Sequence, residues 1–238
     1  GYTEADGFPG TFIIKKAAGL INTDYFKCGL FYVQDVSARC AVLASGVKSG
    51  GSALDVCAAP GGKSILAALL MENTGRVISC DIHGKKLGKI EENASRLGIS
   101  IIETRQADAK EFVNDFENAF DTVLADVPCS GFGVIRKKPE IKYKAYEDIE
   151  GLNRIQLDIL RNSSRYVKPG GVLIYSTCTV LQRENEDVIT AFLAGNDEFF
   201  LEKFTVNNKI TAENGYTTLW PHINGSDGFF VARLRRRI

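Results

Sequence analysis

Residues 52–73 read SALDVCAAPGGKSILAALLMEN, and they hold the pattern that decides the fold. SALDVC is a short apolar strand. Pro60, Gly61 and Gly62 break it with a turn, and KSILAALLMEN continues with helical spacing. The unit recurs down the chain. GRVISCD (75–81) is a second strand, followed by a helical stripe of Leu87, Ile90, Ala94 and Leu97 that Gly98 is placed to stop. ISIIETRQAD gives a third strand and DTVLADV a fourth. Ile149, Leu152, Ile155 and Ile159 mark another helix, ending at KPGG (168–171), which feeds the strand VLIYS. A further helix opens on Glu184, Glu186 and Asp187, acids suited to a helix N-terminus, and GFFVARL is the last strand. Alternating strand and helix predicts an α/β fold, a mostly parallel sheet with helices on both faces.

Upstream of residue 50 the pattern is less regular. One helix is expected over residues 36–47, and residues 1–32 read as a partial N-terminal subdomain or linker ahead of a domain spanning 33–238. The chain starts at Gly1 and its single methionine is Met71, so a fragment or a processed product is expected. At 238 residues, 45% apolar and 24% charged, the composition is that of a folded domain. No apolar run approaches the roughly 18 residues that span a bilayer, and no signal peptide is present, so a cytoplasmic protein is expected. Six cysteines include no C-x-x-C and only two histidines accompany them, which argues against zinc or any other metal and against a disulfide framework. Cys28, Cys40 and Cys80 read as structural thiols, and His83 and His222 carry no assigned role.

In a parallel α/β sheet, ligands bind beyond the C-terminal ends of the strands. Cys57, Asp81, Asp108, Asp126, Cys129 and Cys178 all fall there. The glycine turn lets backbone approach a ligand while the next helix offers free N–H groups. It is not a P-loop, because Cys57 occupies the first glycine position, nor a G-x-G-x-x-G fingerprint. Asp81, 20 residues past Gly61, suits the two hydroxyls of a ribose, which S-adenosylmethionine offers as NAD does, and Asp108 suits an adenine amine; singly, each acid would serve as well as a helix cap. Net charge is zero, so attraction to nucleic acid rests on local clusters. Residues 136–144, RKKPEIKYK, hold five basic side chains, and RLRRR at 233–237 holds four.

The stretches DVCAAPGGKS, ADVPCSGFGVIRKKPEIK, YSTCTVLQRENEDV and GSDGFFVARL resemble successive motifs of the RNA cytosine-5 methyltransferases, in particular those of the bacterial RsmB type acting on small-subunit ribosomal RNA. The resemblance runs from about Val33 to the end. It implies a class I methyltransferase fold with a seven-stranded sheet and S-adenosyl-L-methionine as donor. It implies that the cofactor is held by Cys57, Ala58, Ala59, Pro60, Gly61, Gly62 and Lys63, with Asp81, Asp108 and Asp126. It makes Cys178 the nucleophile and Cys129 the thiol that assists product release, with Asp126 facing the base; the chemistry alone does not say which cysteine attacks. Lys86 stands where the family has arginine, a minor departure. The resemblance also implies a NusB-like RNA-binding domain ahead of this region, which is expected to be missing from this chain.

The chemistry fits two thiols. Cytosine C5 is too electron-poor to take a methyl group unaided, and a thiolate adding to C6 makes it nucleophilic. Hydrogen bonding at N3 lowers the barrier to addition, a role for Asp126 if protonated. A cysteine titrating at about 8.5 needs a cation or helix N-terminus to become a thiolate, and Lys63 is the candidate cation, unless it is merely a salt-bridging helix residue. RNA would be held by Arg136, Lys137, Lys138 and Lys142 on phosphates, with Tyr143 stacking. The arginine-rich end either adds to this or is disordered. The competing readings are a transfer RNA substrate, an amino-group methyltransferase, for which D-V-P-C lacks the required second proline and aromatic, and a non-catalytic RNA-binding ribosome assembly factor. A monomer is expected.

Overall fold

A computed structural model of the chain describes residues 1–14, 18–145 and 150–238. In chain order the strands are β1 (Tyr2–Glu4), β2 (Phe12–Ile14), β3 (Ser52–Asp55), β4 (Arg76–Asp81), β5 (Ile102–Gln106), β6 (Phe120–Asp126), β7 (Val167–Thr177), β8 (Phe199–Leu201), β9 (Phe204–Val206), β10 (Ile210–Ala212), β11 (Tyr216–Leu219) and β12 (Phe229–Arg236). The helices are α1 (Asp24–Lys27), α2 (Val36–Ser45), α3 (Gly62–Leu70), α4 (Gly84–Arg96), α5 (Leu152–Ser164), α6 (Glu186–Leu193) and α7 (Pro221–Asn224).

The main sheet runs β11–β12–β7–β6–β3–β4–β5, with β8 also paired to β12. β3 to β7 are mutually parallel and β12 is antiparallel to β7. The expected seven strands become eight on seven positions, because the outer edge of β12 is shared: β11 pairs with its first half and β8 with its last residues. The chain moves outward from β3 through β4 to β5, then returns to lay β6 on the other side of β3. That reversal opens a crevice between the carboxyl ends of β3 and β6, where such sheets bind ligands.

Alternation along the strands sorts the core. Val123, Ala125, Leu173, Tyr175, Phe230 and Ala232 face α5 and α6, packing with Ile159, Val188 and Phe192. Their neighbours Leu124, Ile174 and Val231 face the opposite layer, with Cys40, Ala44 and Leu66 of α2 and α3. Asp35 caps α2 by accepting the Ser37 N–H at 2.9 Å, and Gly46, left-handed at φ 66°, ends it before residue 47.

Three elements differ from the sequence reading. KPGG does not precede a strand but bulges within β7: Phe120 pairs with Val167 and Thr122 already with Val172. The buried face of α5 is Gln156, Ile159 and Leu160, while Ile155 is turned outward; Ile149 lies outside the described residues. Glu184 sits buried in a short turn before α6, and only Glu186 and Asp187 occupy that helix's first turn.

Described residues within 1–32 pack against the rest of the chain. Ala5 and Phe8 bury against Phe204 and Val206, and Arg96 of α4 stacks 3.7 Å over Phe26 while donating to the Phe26 and Phe31 carbonyls. This segment also exposes Tyr2, Phe12, Tyr25 and Leu30. The arginine-rich end is neither disordered nor free: Arg233 and Arg235 grip Glu202, and Arg236 pairs with Glu198.

Candidate active site

β6 and β7 run side by side with Asp126 opposite Ser176. The turns leaving them therefore emerge together, and the sulfurs of Cys129 and Cys178 lie 3.2 Å apart. The turns are fastened to each other. The Cys178 carbonyl accepts the Gly133 N–H at 2.9 Å, and the hydroxyls of Ser130 and Thr179 meet at 2.9 Å. Gly133 has no room for a side chain: a Cβ there would stand 1.9 Å from the Gly228 carbonyl oxygen and 2.8 Å from that of Cys178.

Lys63, in the first turn of α3, reaches across to Asp126, Nζ to Oδ2 2.5 Å, and lies 5.6 Å over the Phe229 ring. Lys63 is therefore salt-bridged, and its charge also acts on the Cys178 thiol. The other Asp126 oxygen accepts the Ser176 hydroxyl at 2.7 Å. Both Asp126 oxygens are thus engaged, one by an ammonium and one by a hydroxyl. Burial opposes the charge on Lys63, but Asp126, followed by Asp55, holds its pKa above the usual value.

The two thiols diverge. Cys178 is lowered, first by the hydrogen bond from the Cys129 thiol and further by Lys63, against burial and the Asp126 charge. Cys129 is pushed well up by giving that hydrogen bond, by burial and by its charged neighbours. The two sulfurs titrate as a pair, and the surroundings favour Cys178 over Cys129 as the one to lose its proton first. Cys57, raised by burial and by Asp55, stays a neutral thiol.

The glycine turn lies beside this pair. Gly61, at φ 103°, packs on Ile90, where a Cβ would come within 2.9 Å of that side chain. The Ala59–Pro60 bond is cis. Asp81, at the end of β4, accepts the Ala59 N–H at 3.2 Å and the His83 N–H at 2.9 Å, joining strand end to turn. Asp108 follows β5, accepts the Lys110 N–H and keeps its side chain 27% exposed. α3 begins without a side-chain cap, so its first N–H groups are available to a carboxylate. This donor and acceptor set fits an amino-acid carboxylate, a ribose diol and an adenine amine in one crevice.

The five candidate RNA residues separate. Lys137 bonds Asp35 at 2.5 Å and Asp227 at 2.7 Å, and Arg136 reaches Asp227 at 3.4 Å, so these two tie loops together. Lys138, Lys142 and Tyr143 are exposed, the last at 77%, with the Lys142 ammonium 4.8 Å over the Tyr143 ring. Three participants escaped the sequence reading. Ser176 is hidden as an ordinary strand residue, and Glu184 by its nearness to a helix start. Gln156 did leave a trace, a polar residue beside the apolar stripe of α5.

A parallel sheet with its reversal at β3, a glycine turn there and acids at the next two strand ends defines a class I, S-adenosylmethionine-dependent methyltransferase. Within that class the chain belongs to the 16S rRNA methyltransferase RsmB/F family, whose model matches residues 43–235. It is 43% identical over 233 residues to the probable ribosomal RNA small subunit methyltransferase B of Bacillus subtilis (strain 168), covering 94% of this chain and 52% of that protein. It is 36% identical to the ribosomal RNA small subunit methyltransferase F of Aeromonas salmonicida (strain A449), covering 93% and 48%. The chain thus spans about half the length of these relatives. The crystal structure of NSun6 from Pyrococcus horikoshii with SFG superposes with a TM-score of 0.81 at 29% identity, over 95% of this chain and 57% of that one. Among the described residues no cluster fit for a metal ion occurs, and no helix is long and apolar enough to cross a membrane.

Proposed function

We propose that the chain methylates C5 of a cytosine in small-subunit ribosomal RNA through a covalent bond between Cys178 and C6. One observation carries this reading: two thiols 3.2 Å apart on adjacent strand ends, with the Cys178 thiol lowered by its hydrogen bond to Cys129 and by Lys63. The names of the relatives support the substrate class. The cytoplasm, where that RNA is found, is the compartment this implies.

S-adenosylmethionine, when bound, supplies a methyl group activated on a sulfonium. The turn from Cys57 through Ala58, Ala59, Pro60, Gly61 and Gly62 to Lys63 would hold its amino-acid end at the start of α3. Asp81 would accept its ribose hydroxyls and Asp108 its adenine amine. The target base must leave its stack to be reached. Cys178 sulfur then bonds to C6 with its lone pair, and the displaced C5–C6 π electrons make C5 the nucleophilic atom that takes the methyl group. The Lys63–Asp126 pair offers the base both a donor and an acceptor, for N3 and the exocyclic amine. The C5 proton then passes to solvent water, and as its C–H electrons form the C5–C6 double bond the S–C6 bond breaks with its electrons returning to sulfur. The adjacent Cys129 thiol stabilises the departing thiolate by hydrogen bonding. Lys138, Lys142 and Tyr143 are the remaining surface groups for RNA phosphates and bases.

The test is transfer of labelled methyl to small-subunit ribosomal RNA and, in parallel, to transfer RNA, with denaturing gels to detect protein–RNA adducts. Cys178→Ala should yield neither product nor adduct, and Cys129→Ala should accumulate adduct while turnover falls at least about 100-fold. The opposite pattern would give Cys129 the nucleophile's role. Label recovered on any atom but cytosine C5 would overturn the reading, and preference for transfer RNA would change the substrate.

A further inference from the structure

Two polar side chains that the thiol pair and the cofactor loop leave unexplained lie buried beneath the site. Glu184 is 1% exposed and Gln156 0%. The Gln156 Nε2 uses both hydrogens, one to the Pro128 carbonyl at 3.0 Å and one to Glu184 Oε2 at 2.9 Å. The same Oε2 accepts the Ser130 N–H at 2.8 Å. The circuit closes on the residues immediately before and after Cys129. It is anchored to the other strand as well, because the Glu184 carbonyl accepts the Tyr175 hydroxyl at 2.5 Å, three residues before Cys178.

Core stability does not account for this arrangement. Burying a carboxylate carries a desolvation penalty, and both Glu184 Oε1 and Gln156 Oε1 are buried without a hydrogen-bond partner. An apolar pair would avoid that penalty but would leave the Ser130 N–H and the Pro128 carbonyl without these partners. What the circuit does fix is the backbone on either side of Cys129, which lies in a turn that sheet hydrogen bonds do not hold. A hydrogen bond between sulfurs tolerates little drift, and a site is only as well placed as the groups supporting it.

We propose that Gln156 and Glu184 are positioning residues that hold the Cys129 thiol against the Cys178 sulfur, setting both the reactivity of the nucleophile and the release step. This deepens the two-thiol reading and rests on it. Loss of the clamp should therefore reproduce loss of the Cys129 thiol rather than simply weaken the fold.

The test needs no knowledge of the target nucleotide. The intact chain is treated with iodoacetamide across a pH series, and alkylation at Cys178 is followed by peptide mass spectrometry. Wild type is compared with Cys129→Ala, Gln156→Leu, Glu184→Ala and Glu184→Asp, and with Glu184→Gln, which keeps an acceptor for both N–H groups. Circular dichroism checks folding, and adducts with small-subunit ribosomal RNA are scored on gels. Gln156→Leu, Glu184→Ala and Glu184→Asp should slow Cys178 alkylation at neutral pH about fivefold, as Cys129→Ala does, and accumulate adduct. Glu184→Gln should stay near wild type. If folded clamp variants alkylate as wild type while Cys129→Ala is slow, the positioning role is wrong and the two-thiol reading stands. If Cys129→Ala itself changes neither alkylation nor adduct, the two-thiol reading fails, and the clamp's role with it. Should the Leu and Ala variants unfold, Glu184→Asp decides, because it keeps charge and polarity and only shortens the reach.

Discussion

At the scale of single residues, the site gathers charge where a folded core tolerates it least. Asp55 ends β3, is 1% exposed and accepts the Ser64 hydroxyl at 2.8 Å through one oxygen, while the other has no partner. Burial raises its pKa from the ordinary 3.8 to about 6, despite the opposing influence of Lys63 and Ser64. The native state therefore keeps a proton that the unfolded chain has already released. Stability from this group is complete below about pH 4 and is lost as pH rises through about 6. Asp55→Asn removes the titration. Relative to wild type, the variant should gain about 2 kcal/mol between pH 4.5 and pH 8. Urea denaturation at the two pH values checks this, and a difference that does not grow with pH would mean Asp55 is not protonated in the fold. The same neighbourhood sets two thiols apart: burial and carboxylates push Cys57 up, while the Cys129 thiol and Lys63 bring Cys178 down against burial and Asp126.

At the scale of elements, close approach decides which substitutions the fold accepts. Gly133 is pressed between Gly228 and Cys178, and its N–H holds the Cys178 carbonyl. Gly133→Ala should destabilise by about 1–3 kcal/mol and depress methyl transfer more than stability loss explains, because the turn that carries Cys178 must shift. Gly88, on the exposed face of α4, has open space where a methyl group would stand, with nothing within 4 Å. There Gly88→Ala should stabilise by about 0.5–1 kcal/mol, and paired thermal melts read both effects. Elements of this kind were legible in the sequence wherever one period dominated. The strands β3, β4, β6 and β7 are near-continuous apolar runs because both sheet faces are covered, and Gly98 stops α4 in the left-handed conformation expected of it. The pattern failed where a polar residue is buried for a partner distant in sequence. Gln156 displaced Ile155 from the core face of α5, and Glu184 left the helix start to reach Ser130, 54 residues away. No local spacing encodes such a bond. The cysteines and acids of the site were legible because strand ends are fixed by the sheet, whereas their supporting groups come from loops and helices that only the tertiary fold brings together.

At the scale of the whole molecule, a net charge of zero conceals an uneven division of labour among the basic residues. Arg233, Arg235 and Arg236 are held by Glu202 and Glu198. Lys137 joins Asp35, at the head of α2, to Asp227, just before β12. That pairing, with the Ser37 hydrogen bonds, offsets burial and holds Asp35 down at about 2. Cations already paired inside the fold release few counterions when RNA binds, so composition overstates the charge available to a polyanion. Lys138 and Lys142 are exposed and carry no ion pair among the described residues. Each neutralised phosphate adds about 0.7–0.9 to the slope of log affinity against log salt. Replacing Lys138 and Lys142 with alanine should therefore weaken ribosomal RNA binding and flatten that slope by about one to two, with the melting temperature unchanged. Lys137→Ala should do the reverse, lowering the melting temperature while leaving the slope within about half a unit of wild type. Filter binding over a salt series, beside thermal melts, separates the two classes. A Lys137→Ala slope as flat as that of the double variant would place Lys137 on the RNA, and would show that its bonds to Asp35 and Asp227 give way when a phosphate arrives.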